Sequence, residues 1–359
     1  MYPASSSTRS SDTAPSPLPA VTSMDYFEII PLPTDNPHKL SDENLHSLAS
    51  TSTNENVTPI GTPATEVPGG QIIISISTAF NSSSNHGDLP PDIILTSNDH
   101  VYFYVHRTRL HAASANNFNN LLTEGATHPH LTTITLQEDS VVLNILLHVI
   151  YSLSLRQYSP PLETLLEAIE ALKKYGVPLG PHAARAMPLF NELVIKMPVM
   201  PMEVYALAAE HDLFDLAAEA SSFLLSFPLS TLTDQMAARI GPLYLRRFFS
   251  LHVERLRVLQ HLLARPPSEH QPTLDCGWTD YQRLKTAWSL ACSGIVYDAR
   301  ADLSAERIRT ILESLKVPLT CLDCKQSISQ RVSEIVMKWS ITPRTILRNT
   351  DGYRSLLHS

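Results

Sequence analysis

Residues 92–121 read DIILTSNDHVYFYVHRTRLHAASANNFNNL, and this stretch decides the fold. Residues 93–95 form a short, continuously apolar strand pattern, and Asn98-Asp99 is a turn signal. In residues 101–106, Val, Phe and Val alternate with Tyr, Tyr and His, which is the period of a β-strand. The two segments predict a β-hairpin, and apolar residues at helical spacing from Leu110 onward predict helix after it.

The segments on either side of this stretch extend the same pattern. Gln71–Ile76 is a β-branched run typical of a strand, and residues 132–136 predict another. Val141–Tyr151 predicts a strongly apolar helix. Leu162–Tyr175 predicts a further helix, closed by Gly176, since helices often end at a glycine that can adopt positive φ.

The C-terminal half has almost only helical periodicity. The predicted helices cover residues 181–196, 202–211, 214–226, 242–264, 278–297, 305–316 and 327–339. We therefore expect an α+β domain, a small sheet packed on helices, at residues 69–180. An all-α helical domain at 181–346 and a loose C-terminal tail at 347–359 are expected to follow it.

Residues 1–68 are rich in Ser, Thr, Pro and Asn and predict a disordered tail, because so few apolar side chains cannot offset the entropy of ordering. The apolar knot at Tyr26–Ile30 allows two interpretations, a short docking motif or an incidental cluster.

Composition excludes several classes of function. The net charge of −8 over 359 residues argues against general nucleic-acid binding, which needs a basic surface. No apolar run approaches the ~18 residues of a membrane span. Residues 1–20 lack the apolar core of a secretory signal, so we expect an intracellular protein, in the cytoplasm or the nucleus. A glycine-rich phosphate loop, a Gly-x-Ser-x-Gly elbow and a His-Glu-x-x-His helix are all missing from the sequence, and no catalysis is expected.

The cysteines leave one alternative open. They are Cys276, Cys292, Cys321 and Cys324. The Cys-x-x-Cys pair has the turn geometry of a tetrahedral zinc site, but a second close pair is missing. His270 or His261 could substitute if the fold brings one of them near. The favoured interpretation is ordinary thiols, so no metal and no cofactor are expected.

The predicted helix at 242–264 carries an apolar stripe formed by Leu245, Phe249, His252, Leu256, Leu259 and Leu263. His252 on this stripe is interpreted as a hydrogen-bonded core residue, and the loop pair His128-Pro129-His130 is weak support for a metal. The arginines of the same helix are Arg246, Arg247, Arg255 and Arg257. Solvated faces with ion pairs, or a surface for an acidic partner, are the two interpretations of that group.

Residues 88–176 resemble a BTB/POZ domain. The residues that match the family's pattern in order are Asp92, Phe103, His106, Leu110, Ser114 and Phe118. Further matches are Tyr151, at the end of a helix, and the segment Leu172–Val177. From Asp92 to about Ile346 the chain resembles fungal BTB proteins with a helical C-terminal half, and those helices resemble distantly the BACK helices that often follow BTB domains.

The signature residues have independent physical roles. Asp92 is expected to accept backbone N–H bonds beside a helix start. His106, at a strand-to-helix junction, is expected to be a structural histidine rather than a catalytic residue or a ligand. Ser114 stands at a predicted helix break, as an N-cap would. Phe118 and Leu121 are expected in the core.

The resemblance implies a protein-interaction module that acts by homo- or hetero-oligomerisation. We expect contact with a partner through exposed apolar residues of the 118–122 helix and the neighbouring strand. Many BTB domains dimerise by exchanging an N-terminal strand. Here Gln71–Ile76 could supply that strand, or it could pair within its own sheet.

Many BTB domains also bind a cullin scaffold, through a hydrophobic-x-Glu signature. Leu122-Thr123-Glu124 has this composition but falls about four residues too early. At the expected place, Ala126-Thr127-His128 lacks the Glu. A cullin-type ubiquitin ligase adaptor is therefore the alternative function, and a zinc-stabilised helical protein is a more remote one.

Overall fold

The structure, a computed structural model, describes residues 30–31, 66–67, 71–84, 86, 89–122, 131–274 and 276–348. The predicted disordered tail lies outside this set apart from two short strands, and so does most of the predicted C-terminal tail. His128-Pro129-His130 lies outside it as well. The chain divides into two compact units, residues 1–107 with 125–141 and residues 108–124 with 142–359.

The first unit is built on a sheet. Its strands are β1 (Ile30–Pro31), β2 (Glu66–Val67), β3 (Gln71–Ile76), β4 (Ile93–Thr96), β5 (Val101–Val105) and β6 (Thr132–Thr135), in the order β1-β3-β5-β4-β6, with β2 also paired to β3. β4 and β5 form the predicted antiparallel hairpin, with Ile94 opposite Tyr104. β3 and β6 pair in parallel with β5 and β4 respectively. The hairpin and both flanking strands are therefore confirmed.

The helices follow the hairpin. They are α1 (Arg107–Ala113), α2 (Asn117–Asn120), α3 (Ser140–Ile150), α4 (Leu162–Lys174), α5 (Leu179–His182), α6 (Pro188–Lys196), α7 (Pro201–Glu210), α8 (Phe214–Phe223), α9 (Asp234–Ala264), α10 (Trp278–Tyr297), α11 (Ala305–Glu313) and α12 (Leu322–Ile341). The predicted class, a small α+β portion followed by a helical one, is confirmed.

One predicted helix, residues 181–196, is divided in two. α5 ends at His182, and α6 begins at Pro188. Ala186 between them has a positive φ of 68°. A proline fits the first turn of a helix and disfavours helical geometry in the residue before it, so Pro188 starts a new helix rather than continuing the old one.

α9 is long and bent near its start. At Gly241, φ is 73° and ψ is 162°, and Pro242 follows inside the helix. Glycine reaches this conformation without the steric penalty of a side chain, and proline lacks the N–H that the helix would use there. The stretch from Pro242 to Ala264 then runs as one helix, which is the segment predicted from the sequence.

The last four helices share a hydrophobic core. Its aromatic members are Trp288 and Trp339, whose indole N–H groups donate to the carbonyls of Leu263 at 3.3 Å and Leu303 at 2.7 Å. Leu259, Ile308 and Val332 are among its fully buried members. Buried tryptophans need such partners, since an unpaired buried donor is costly.

The arginines of α9 do not form one solvated face, which corrects that interpretation. Arg255 is 1% exposed and donates to the carbonyls of Ala301 at 2.7 Å, Thr342 at 2.8 Å and Pro343 at 2.7 Å. Its guanidinium also lies 4.3 Å from the ring centre of Trp339. Arg247 lies over the rings of Phe214 and Tyr244. Of the four predicted arginines, Arg257 pairs with Glu254 at 3.2 Å as a surface ion pair, and Arg246 is exposed.

Among the described residues, none of the helices has the length and apolar character needed to cross a membrane.

Candidate functional site

The six signature residues lie where the sequence predicts structural roles. Phe103, Leu110 and Phe118 are fully buried. The Oδ1 atom of Asp92 accepts a hydrogen bond from the backbone N–H of Arg107, the first residue of α1, at 2.7 Å. A carboxylate at this position satisfies a free N–H and interacts favourably with the positive end of the helix dipole.

His106 makes a backbone contact of the kind expected for a structural histidine. It follows β5 directly, is 6% exposed, and its Nε2 donates to the carbonyl of Leu89 at 2.8 Å. The groups of potential metal ligands found among the described residues do not include it. The ring therefore fixes the segment that leads into β4.

The helix break after α1 is held by two polar side chains. Ser114 Oγ accepts the backbone N–H of Phe118 at 2.7 Å and donates to the carbonyl of Tyr175 at 2.7 Å. Asn116 Oδ1 accepts the N–H of Asn119 at 2.8 Å. Ser114 satisfies an N–H at the break as predicted, while Asn116 is the residue that caps the next turn.

That next turn, α2, is left-handed. Residues 117–120 have φ values of 52°, 54°, 58° and 59°. Asparagine tolerates this region better than other non-glycine residues, and three of the four residues are asparagines. Phe118 is the exception, and its buried ring packs against the ring of Tyr175.

The end of α4 packs closely against this turn. Gly176 has a φ of +70°, and its carbonyl accepts the N–H of Ala115 at 2.8 Å. A Cβ atom on Gly176 would lie 2.9 Å from the backbone nitrogen of Asn116. The predicted glycine terminator is confirmed, and the close approach is a second reason for glycine here.

The predicted partner surface is smaller than expected. Phe118 and Leu122 are buried, at 0% and 3% exposed, and Leu121, predicted as core, is 37% exposed. Buried side chains cannot contact a partner without local unfolding, so of these three residues only Leu121 is available. Leu89 and Val141 are the other large apolar residues exposed among the described part of residues 80–178.

Two predicted features concern particular partners, namely the exchangeable N-terminal strand and the cullin signature. β3 pairs with β5 of its own sheet, with Ser75 opposite Val101, so the strand that could be exchanged is used within the chain. In the cullin signature, Leu122 is buried, and residues 123–130 lie outside the described residues.

A second cluster lies in the helical region, where three of the four cysteines meet one histidine. Ligand atoms of His270, Cys276, Cys321 and Cys324 all lie within 4.8 Å of one another. His270 Nε2 is 3.1 Å from the Sγ of Cys324 and 3.4 Å from that of Cys321. The Sγ atoms of Cys276 and Cys324 are 3.6 Å apart. The sequence named these cysteines, and of the two histidines it offered, the fold selects His270.

The protonation of this cluster follows from its surroundings. The backbone N–H of Cys324 lowers the pKa of the Cys321 thiol. Burial raises the pKa of Cys276, and it raises that of Cys324 to about 12. The hydrogen bond to the carbonyl of Gln271 raises the pKa of His270. The two buried thiols are therefore neutral unless a cation replaces their protons.

Cys292 does not belong to the cluster. It is buried inside α10, in the same core as Trp288, and burial raises its pKa to about 12. This is the ordinary buried thiol that the sequence predicts, and it corrects the grouping of all four cysteines as joint zinc candidates.

One comparison with known proteins identifies part of the chain. The family model described as BTB/POZ domain matches residues 80–178. No curated protein and no solved structure matches the chain significantly. The match covers every residue of the signature set, from Asp92 to Phe118.

Proposed function

We propose that this chain, which carries a BTB/POZ domain at residues 80–178, is a scaffold or adaptor that binds protein partners by homo- or hetero-oligomerisation. A BTB/POZ domain is a protein–protein interaction module. The observation that carries the proposal is this match over a block whose signature residues are satisfied within the fold. The proposal extends to the whole chain, with no catalytic reaction of its own.

What supports the non-enzymatic part is the use of the polar signature residues. Asp92 caps a helix, His106 bonds a carbonyl and Ser114 bridges two backbone groups. Each polar group is committed to the fold, whereas catalytic groups must face a substrate.

The proposal also includes the likeness to fungal BTB proteins, the domain limits and the intracellular location. The run of helices in the C-terminal half supports the likeness to fungal BTB proteins with a helical C-terminal half. The proposed domain limits are residues 69–180 and 181–346. An intracellular location, in the cytoplasm or the nucleus, is also part of the proposal, and its support is the lack of a secretory-signal pattern in residues 1–20.

A cullin-type ubiquitin ligase adaptor is the more specific version of this function. The composition of residues 122–124 favours it, while the burial of Leu122 counts against that residue as a cullin contact. We therefore place self-association or another protein partner ahead of a cullin.

Light scattering on the full chain after size exclusion tests self-association. A mass of twice 39.8 kDa would show a homodimer, and direct titration with a purified cullin N-terminal domain tests the alternative. If the chain is monomeric and binds no cullin, crosslinking mass spectrometry must find a partner whose capture depends on the BTB/POZ domain.

Two variants and one control measure how far partner capture depends on the BTB/POZ domain. Leu121→Asp charges the exposed residue of the signature segment, and Val317→Asp is the matched control, at an 84% exposed residue of the helical region. Phe118→Asp disrupts the core around the ring. All three tryptophans lie in α10 and α12, so their fluorescence reports whether the C-terminal core stays folded. Partner capture that survives Phe118→Asp unchanged would overturn the proposal.

A further inference from the structure

We propose that His270, Cys276, Cys321 and Cys324 bind a structural zinc ion. The site lies in the helical region and is independent of the partner-binding function proposed above. It rests on the geometry of four side chains from two separate segments, the loop between α9 and α10 and the start of α12.

The distances match a tetrahedral site. With Zn–S near 2.3 Å and Zn–N near 2.0–2.1 Å, a tetrahedron places sulfurs about 3.8 Å apart and a sulfur and a nitrogen about 3.6 Å apart. The observed separations are 3.6 Å between Cys276 and Cys324, and 3.1 and 3.4 Å from His270 to Cys324 and Cys321. An ion at the centre would need adjustments of about half an ångström or less along these edges.

The histidine is oriented as a ligand. Its Nδ1 donates to the carbonyl of Gln271 at 2.7 Å, so Nε2 carries the lone pair and faces the sulfurs. Metal-bound histidines almost always donate their other N–H to a carbonyl or a carboxylate, which fixes the tautomer and the ring orientation. Asp323 adds a carboxylate oxygen 4.0 Å from the same Nδ1.

The backbone presents the cysteines in the required way. Cys276 is held by a tight turn in which Thr273 N–H donates to its carbonyl at 2.9 Å. Cys321 is the N-cap of α12, and Cys324 lies in its first turn. The free backbone N–H of Cys324 at this helix start favours the thiolate of Cys321.

The ligand set indicates a structural role. Three thiolates and one imidazole fill all four positions of a tetrahedral zinc ion and leave none open for water or substrate. Cys276 and Cys324 are 48 positions apart and belong to the core of the last four helices. The ion would therefore fix the loop before α10 to the start of α12.

The other group of potential ligands among the described residues lacks these properties. Glu170, Glu210 and His211 also bring ligand atoms within 4.8 Å, but both carboxylates are exposed. Glu210 is already paired with Arg239 at 2.9 Å. We therefore propose no metal site at Glu170, Glu210 and His211.

Metal analysis of the purified full-length chain tests the site. Under reducing conditions, and after zinc is added and the excess removed, we expect about one zinc per chain. Cobalt substitution should give the visible absorption of a tetrahedral thiolate complex. A chelator that removes the metal should lower the melting temperature followed by tryptophan fluorescence, because the site adjoins the core that holds Trp288 and Trp339.

Matched variants separate ligation from packing. Cys321→Ser and Cys324→Ser should each lose most of the bound metal, and so should His270→Ala. His270→Cys should retain it, because four thiolates also form a zinc site. Cys292→Ser is the control, a buried cysteine of the same core that is not among the four grouped ligands, and it should keep full stoichiometry.

Three results would overturn the proposal. One is a folded wild-type chain with no bound metal after reconstitution. Another is zinc retained in full by Cys321→Ser and Cys324→Ser. The third is a Cys276–Cys324 disulfide, detected by mass spectrometry in chain purified under reducing conditions. Metal retained in full by His270→Ala would overturn the assignment of the fourth ligand.

Discussion

The ring of Phe118 stacks on the ring of Tyr175, with centroids 4.3 Å apart and planes inclined by 16°. Hydrogen bonds flank the stack, from Ser114 to the carbonyl of Tyr175 and from Asn116 to the carbonyl of Lys174 at 3.0 Å. The stack and these bonds join the left-handed turn to the end of α4. The spacing of Ser and Phe in the signature is therefore explained by contacts to one segment, residues 174–176.

Truncation of this stack should destabilise the chain strongly. We expect Phe118→Ala to lower the free energy of unfolding by about 3–5 kcal/mol, because it removes a fully buried ring. A double-mutant cycle with Tyr175→Ala should give a coupling of about 0.5–1.5 kcal/mol beyond area burial. Urea denaturation measures both quantities. Leu121→Ala is the control, with a loss under about 1 kcal/mol, and additive single effects would contradict the coupling.

Gly176→Ala should be destabilising although it adds only a methyl group. The substitution forces positive φ on a residue with a side chain and brings Cβ within 2.9 Å of the Asn116 nitrogen. We expect a loss of about 2 kcal/mol or more from the combined strain and overlap. Thermal unfolding followed by circular dichroism measures it. Gly180→Ala is the control, since a Cβ there meets nothing within 4 Å, and equal melting temperatures for the two variants would refute the explanation.

Arg255→Leu should destabilise the helical region. Three carbonyls would lose their donor in a buried site, and each unsatisfied group costs about 1–3 kcal/mol, so we expect a total loss of about 3 kcal/mol or more. Tryptophan fluorescence during denaturation reports it directly, because Trp339 lies against the guanidinium. Arg257→Leu on the same helix removes an exposed ion pair and should change stability by under about 1 kcal/mol. A comparable loss in both variants would show that burial is not the cause.

Mild acid should destabilise the protein through His252. Burial lowers the pKa of this histidine, which is 6% exposed and lies edge-on to Phe248. Because the unfolded chain then binds protons more readily than the folded one, the stabilising contribution is complete above pH 6.5 and declines as the pH falls below it. Burial also lowers the pKa of His182 and His211, which act in the same direction.

His252→Gln, which cannot titrate, should show a shallower decline in melting temperature between pH 7 and pH 5 than the wild type. Parallel curves would show that His252 does not contribute to the pH dependence.

The parts of the fold that local pattern determines could be predicted from the sequence, and the parts that depend on long-range packing could not. The hairpin and the glycine at the end of α4 are set by neighbouring residues. The predicted buried stripe of α9 is correct at His252, Leu259 and Leu263. It is wrong at Phe249 and Leu256, where the preceding residues Phe248 and Arg255 are buried instead. The error has a physical source, since a buried arginine saturated with carbonyls is counted as polar in any hydropathy pattern.

The cysteine cluster shows the same limit. The pair Cys321-x-x-Cys324 is local and visible in the sequence. Its partners are 48 and 54 positions away from Cys324 and are placed by the packing of four helices. The left-handed turn has a local signal in the sequence, since three of its four residues are asparagines.

α9 belongs to two groups of helices. Near its start, Tyr244 accepts a hydrogen bond from Tyr205 of α7 at 2.8 Å through its carbonyl. Near its end, Leu259 lies in the core of the last four helices. No loop separates the two ends, so a fragment that stops inside α9 would leave both groups incomplete. In gene fusions or domain exchanges, the region from α7 through α12 should therefore be transferred as one piece.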